Sequence, residues 1–197
     1  MPRIARLLLP LLLFAADASA QSFQLSYGGA NLQDAAATVS DATGHSTLVR
    51  EVFPSGDKVR IRLLRTDLQG QNQQWFDVAM DGACFVQDAV VSGDGNITLC
   101  GSRIATGRSD QDALVAKISP TGAVLWAWTS DAPGTQEELM GLQRTDDGGY
   151  IACGTWRGTA DSDALLVRLD ANGNLVWQYH YGTEASEFAN SVASGPD

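Results

Sequence analysis

Two acidic pairs recur at matching points of a repeated pattern, Asp110-Gln-Asp112 and Asp161-Ser-Asp163. A third oxygen-rich stretch, Asp170-Ala-Asn172-Gly-Asn174, lies a few residues on. Closely spaced carboxylate and carboxamide oxygens are the ligands that calcium selects. Asp and Asn are also favoured in turns, where their side chains accept hydrogen bonds from nearby backbone amides. Turn formation is the leading reading, since Ser119-Pro-Thr-Gly-Ala123 fills the equivalent second loop of the preceding unit without a carboxylate. Asp110, Asp112, Asp161, Asp163, Asp170 and Asn172 stand behind it as calcium candidates. Trp156 and Arg157 are expected in a loop between two strands, where an aromatic side chain can meet a ligand such as a sugar. An edge Trp that covers its own sheet is the competing reading.

Covalent catalysis has little to draw on. A Ser/His/Asp site needs a His held by a carboxylate beside a nucleophile. The chain has two histidines. His45 is expected at a hairpin turn, and His180 in an outer strand whose matching positions are Thr129 and Ser26. No Cys/His spacing typical of zinc occurs. Cys100 and Cys153 are repeat-equivalent, so they should lie about one sheet spacing apart, ~10 Å. A disulfide needs Cα atoms within ~4.4–6.8 Å, and both cysteines are therefore expected to pack as small buried thiols. Cys84 falls between units and is left as a free or intermolecular thiol. Asn96-Ile-Thr98 matches a glycosylation signal formally but falls at a hairpin entry, where turn formation accounts for it.

What positions these residues is a repeat. Asp112-Ala-Leu-Val-Ala-Lys-Ile-Ser-Pro-Thr-Gly-Ala-Val-Leu-Trp126 returns as Asp163-Ala-Leu-Leu-Val-Arg-Leu-Asp-Ala-Asn-Gly-Asn-Leu-Val-Trp177, 51 residues on, and Trp75 lies 51 residues before Trp126. A fixed period of this size marks a repeat architecture. Within one unit, Glu138 to Thr145 ends at the turn signal Asp146-Asp-Gly-Gly149, and Tyr150 to Thr155 reads as a strand. Trp156 to Ser162 reads as a loop, Ala164 to Leu169 as a strand, Asp170 to Asn174 as a turn and Leu175 to Tyr181 as a last strand. The consecutive apolar residues Ala164 to Val167 predict a strand covered on both faces. Four such strands per ~50 residues and no helical period predict an all-β chain of four-stranded antiparallel β-propeller blades. The blades are placed at approximately 31–76, 77–128 and 129–181. The shared position of Trp75, Trp126 and Trp177 argues that all three pack between blades.

The ends carry two further expectations. Phe23 to Gly28 aligns with Trp177 to Gly182 as a lone outer strand, and 187–197 aligns with the first strand of the preceding unit. An outer strand at one terminus and an inner strand at the other is how a propeller ring closes. Propellers usually have ~4–8 blades, and three would leave two apolar faces in water. The sequence is therefore read as an incomplete ring, an N-terminal fragment of a longer chain. A small open or self-associating array is the alternative.

Residues 1–20 read as a signal peptide: Arg3 and Arg6, an apolar core from Leu7 to Ala16, and Ala18-Ser-Ala20 as the cleavage site. The apolar run falls short of the ~20 residues that span a bilayer. Cleavage after Ala20 predicts an exported protein, secreted or periplasmic, beginning at Gln21. Removing Arg3, Arg6 and Asp17 leaves 11 basic and 22 acidic residues, a net charge of −11. Nucleic acid and anionic membranes need a cationic footprint, so both are excluded as main partners.

Asp147-Gly-Gly-Tyr-Ile followed by Gly154, the run from Asp163 to Gln178, and Tyr181-Gly182 resemble exported bacterial β-propeller repeat proteins of the quinoprotein-like or SBBP type. The similarity covers 23–197, most strongly the last two repeats. Asn172-Gly-Asn-Leu-Val-Trp177 is also similar to the tryptophan motif of pyrroloquinoline-quinone propellers. The resemblance implies a propeller and export, with no reaction assigned to most members. The expected function is a non-catalytic binding or scaffold module with no cofactor, an unidentified ligand or protein partner, and self-association through open blade faces. The alternative is the N-terminal part of a quinoprotein enzyme.

Overall fold

The computed structural model describes residues 31–54, 59–131, 133–158 and 160–195. The expected signal peptide and the strand at Phe23 to Gly28 lie outside the described residues. Twelve strands form three four-stranded antiparallel sheets, each a meander in chain order, with no α-helix among the described residues. Sheet I holds β1 (Leu32–Asp41), β2 (Gly44–Val52), β3 (Val59–Thr66) and β4 (Gln74–Val78). Sheet II holds β5 (Ala83–Val91), β6 (Ile97–Ile104), β7 (Asp112–Ile118) and β8 (Val124–Thr129). Sheet III holds β9 (Gln136–Arg144), β10 (Tyr150–Arg157), β11 (Ser162–Leu169) and β12 (Leu175–Tyr181).

Five hairpins are closed by one turn design. Gly70, Gly95, Gly122, Gly148 and Gly173 all take φ between 72° and 84°, a left-handed conformation that costs glycine little. In each, the residue three before the glycine accepts its amide and donates to the residue one after it, as in Gly173 N to Asp170 O at 3.1 Å and Asp170 N to Asn174 O at 2.9 Å. The Asp/Asn/Gly punctuation of the sequence therefore does mark these turns.

Sheet II lies between the other two. Leu48, Ile61 and Leu63 of sheet I pack on Leu99, Leu114 and Ala116 of sheet II. The opposite face of sheet II gives Cys100, Ala113 and Val115 to a second core with Leu139, Leu142, Ala152, Leu165 and Val167 of sheet III. The consecutive apolar residues of β7 alternate between these two cores, which is why the strand reads as a continuous apolar run. Each fully buried Leu or Val contributes roughly 1.5–3 kcal/mol. The first strands of neighbouring sheets, β1, β5 and β9, lie side by side, an arrangement compatible with blades. Polar links join sheets II and III: Gln87 Nε2 donates to Glu138 Oε1 at 2.6 Å, and Leu142 N donates to Asp88 Oδ2 at 2.9 Å.

Two expectations change here. Trp156 and Arg157 are not in a loop; they end strand β10, opposite Asp163 and Ser162. Residues 187–195 form no strand. They nevertheless follow the path of one: Glu187 N donates to Ser162 O at 2.7 Å, as Glu137 N of β9 donates to Gln111 O at 2.7 Å. A strand is defined by its ladder of hydrogen bonds, and no described strand pairs with this segment.

Candidate functional site

The acidic pairs are built into ion pairs and turns. Asp110 accepts from Arg108 Nε at 2.8 Å and from the same guanidinium's second nitrogen, which holds its carboxyl at about 2. Arg108 also reaches Asp131 at 2.5 Å. Asp112 opens β7, has no exposed surface, and sits 3.7 Å from Arg108 Nη2 and 3.9 Å from Arg103 Nη2, with neither carboxylate oxygen hydrogen-bonded. Asp170 Oδ1 accepts from the amides of Asn172 and Asn174, both at 2.8 Å, and Oδ2 from Asn174 Nδ2 at 2.8 Å. Asp67 does the same in sheet I, and the Ser119 hydroxyl replaces it in sheet II. Asp161 precedes β11 and Asp163 lies in it, in sheet III, whereas Asp110 precedes β7 and Asp112 opens it, in sheet II. No group of three or more His, Cys, Asp or Glu among the described residues is placed to hold a metal.

Trp156 is half-buried against the core between sheets II and III and stacks on His180 with ring centroids 4.9 Å apart. Burial pushes the His180 imidazole below its usual range, an effect partly offset by the Asp163 charge. His45 Nδ1 meets Ser40 Oγ at 2.8 Å across the β1–β2 hairpin. Glu137 is 1% exposed, with Ser130 Oγ donating to its Oε2 at 3.1 Å and Thr135 Oγ1 hydrogen-bonded to Oε1. Burial raises its carboxyl, and the charges of Asp112 and Asp110 add to the effect. The sequence reading missed this residue, because a Glu opening a strand looks like any exposed rim charge.

All three cysteines are free and buried. Burial pushes the Cys84 thiol up to about 11, and it raises Cys100 and Cys153 as well. Cys84 is 3% exposed, so an intermolecular disulfide there requires sheet I and sheet II to open.

The tryptophans do not behave as one set. Trp126 meets Tyr150 edge-on across the II–III boundary at 5.7 Å, and a Cβ on Gly173 would come within 2.5 Å of its ring. At the I–II boundary that place belongs to Phe76, which lies opposite Leu63 and packs on the core. In β7–β8 and β11–β12 the pairing slips by one residue before the turn, at Lys117/Ile118 and Arg168/Leu169. That leaves Lys117 opposite Trp126 and Arg168 opposite Trp177, each Trp four residues after its turn glycine. Trp75 comes five residues after Gly70, so Gln74 takes that place opposite Arg65 and Trp75 stands opposite Leu64, on the other face. A one-residue change of register moves a side chain across the sheet.

Trp75 thereby completes a row across all four strands of sheet I: Thr38, Thr47, Leu64, Trp75. The next rows on that face are Ala35, Val49, Arg62, Asp77 and then Gln33, Glu51, Arg60. Arg62 Nε donates to Asp77 Oδ1 at 3.0 Å, and the Arg62 guanidinium lies 4.8 Å from the Trp75 ring centroid. Glu51 is buried and bonded to Arg60, to Asn31 Nδ2 at 3.0 Å and to Gln33 Nε2 at 2.9 Å. Burial opposes its charge, but these bonds together hold its carboxyl at about 2. A cleft of about 300 Å³ opens here, lined by Gln33, Asp34, Thr38, Thr47, Leu64 and Trp75 among others. This face is polar where the sequence reading expected an apolar blade face.

No protein-family model matches the chain, and no curated protein matches it. No helix among the described residues is long and apolar enough to cross a membrane.

Proposed function

We propose that the protein is an exported, non-catalytic β-propeller repeat protein whose three sheets are blades and whose surface serves as a binding or scaffold module. The observation that carries this reading is the repeated path of the chain. β9 crosses sheet II through Glu137 N and Gln111 O, and the segment after β12 crosses sheet III through Glu187 N and Ser162 O in the same way. The same crossing thus recurs from one sheet to the next, which supports reading the sheets as successive blades. In support of the non-catalytic part, Asp110 is paired with Arg108, Asp170 caps its own turn, His45 bonds Ser40 across a hairpin and His180 stacks on Trp156. The outer strand β12 presents Tyr179 and Tyr181 half-exposed, next to Trp177, and this is the surface available for self-association.

The test is expression of the full chain in a Gram-negative host. The expected result is a periplasmic or secreted protein whose N-terminal residue is Gln21 and whose small-angle X-ray scattering fits an arc of three stacked sheets. An uncleaved cytoplasmic product, or scattering that fits no such arc, would overturn the reading. Saturable binding of pyrroloquinoline quinone, followed by its absorbance, would replace it with the quinoprotein enzyme.

A further inference from the structure

We propose that the cleft beside Trp75 on sheet I is a binding site for a neutral saccharide. This deepens the reading of the protein as a binding module and rests on it. The first argument is departure from the repeat. The corresponding row in sheet II is Ala89, Leu99, Ala116, Ala127, and in sheet III it is Leu142, Ala152, Val167, Gln178. Apart from their outer-strand members these rows are buried under the neighbouring sheet. Sheet I carries Thr38, Thr47, Leu64 and Trp75 instead, a mixture of hydroxyl, aliphatic and indole groups that matches no other sheet's docking face.

The second argument is chemical. A pyranose has an apolar C–H face and a rim of hydroxyls, and it needs a flat aromatic wall with hydrogen-bonding groups at its edge. Trp75 supplies the wall, and Val49 and Leu64 the apolar floor. The Thr38 and Thr47 hydroxyls, 3.1 Å apart, lie at the far end of the row. Gln33 Oε1, in the same lining, is buried without a hydrogen-bond partner, and such an acceptor is normally satisfied. A ligand hydroxyl would satisfy it.

The third argument selects neutral ligands. The charges around the cleft are already compensated: Asp34 is paired with Arg50, and Arg62 with Asp77. None is left to neutralise an ionic ligand. The volume falls at the small end of ligand sites, which run ~300–1,000 Å³, so a short segment or chain end fits better than the interior of a polymer.

The experiment is calorimetric titration of the purified secreted protein with cellotetraose, maltotetraose and chitotriose, alongside sedimentation of the same samples. At least one probe is expected to bind, with affinity lost at least tenfold in Trp75→Ala and reduced in Thr47→Val. Trp177→Ala, outside the cleft, should bind as the parent does. Circular dichroism and melting of each variant separate lost binding from lost fold, and chemical-shift change of the Trp75 indole N–H locates the site independently. No binding by any probe at millimolar concentration overturns the inference, as does binding untouched by Trp75→Ala. A change in sedimentation caused by Trp75→Ala without a saccharide effect also overturns it, by making this face a protein interface. Export at Gln21 and the scattering of a three-sheet arc would stand in either case, so failure here is distinguishable from failure of the propeller reading.

Discussion

The same face of the three sheets is built in two ways. In sheets II and III its middle row runs through a glycine: Val86, Gly101, Leu114 in one and Leu139, Gly154, Leu165 in the other. A Cβ on Gly101 would lie 1.9 Å from Phe85 O, and one on Gly154 1.9 Å from Glu138 O. Backbone approaches side chain and backbone closely there, and the neighbouring sheet covers the row. In sheet I the row is Ala35, Val49, Arg62, Asp77, with ion pairs and a cleft in place of a neighbouring sheet. A repeat can keep its strand order while one copy changes the purpose of a face.

The rim shows the contrast at one cross-strand position. Glu51 faces Arg60 in sheet I, Arg103 faces Asp112 in sheet II, and Trp156 faces Asp163 in sheet III. Sheet I makes a short ion pair between Arg60 and Glu51 with extra amide donors. Sheet II reverses the signs and leaves the Asp112 oxygens at 3.7–3.9 Å from two guanidinium groups, a gap that a bridging water commonly fills. Sheet III replaces the pair with an aromatic that packs on the II–III core.

The sharpest way to break the comparison is to exchange the row-centre residues. Gly101→Val should unfold sheet II, costing on the order of 4 kcal/mol or more, because the branched side chain has no space beside Phe85 O. Val49→Gly should cost only ~1–3 kcal/mol from lost burial and added backbone entropy. Denaturant midpoints of the two variants check the asymmetry, and equal losses would mean that the two rows are equivalent after all.

Leu114→Ala, at the I–II core, should cost ~2–5 kcal/mol through lost burial and a trapped cavity. Leu64→Ala, whose side chain borders the cleft, leaves no enclosed cavity and should cost about half as much or less. Thermal unfolding of the pair tests whether sheet I's outward face is a core.

The two buried glutamates should respond to pH in opposite directions. Glu51 has its folded value depressed from 4.5 to about 2. Its contribution is present above pH 4.5 and is lost as pH falls toward about 2. Glu51→Gln should thus be less stable than the parent near neutrality, with the gap closing over that window. Glu137 is raised above 4.5, so its contribution is complete below pH 4.5 and lost as pH rises through the folded value. Glu137→Gln should gain on the parent as pH rises above 4.5. Chemical denaturation from pH 3 to 8 reads both, and parallel profiles would refute the assignment.

The smallest effect concerns the thiols. Native protein should take up almost no iodoacetamide at Cys84, Cys100 or Cys153 at pH 8, since thiolate is the reactive form and burial raises all three. Full labelling should appear only after denaturation. A Cys100–Cys153 disulfide peptide under non-reducing conditions would contradict both their free state and the sheet alignment.

Much of the fold is legible in local spacing. The period of Trp126 and Trp177, the Asp/Asn/Gly turns and the apolar run in β7 place the strands of the third sheet within two or three residues of where they occur. The reason is that turn geometry and strand period are set by neighbours along the chain. Less of the site is legible. The sequence makes Trp75 equivalent to Trp126 and puts Trp156 in a loop. The structure turns Trp75 onto the cleft face and packs Trp156 against a core. For Trp75 the mark is one extra residue: it comes five positions after Gly70, where Trp126 and Trp177 follow Gly122 and Gly173 by four. The constant 51-residue spacing of the three tryptophans hides it. For Trp156 the strand end depends on its pairing with Asp163.

The bulges in the first strands, between Ala35 and Ala37 and between Val86 and Asp88, are of the same kind. The fate of 187–195 is another case, since a segment can carry a first strand's residues and remain outside any ladder until a partner strand lies beside it. Sequence by itself determined the strands, their turns and their number per unit. Only the tertiary structure decided which face each side chain meets, because that choice is made by contacts between residues far apart in the chain, and a single step of register reverses it.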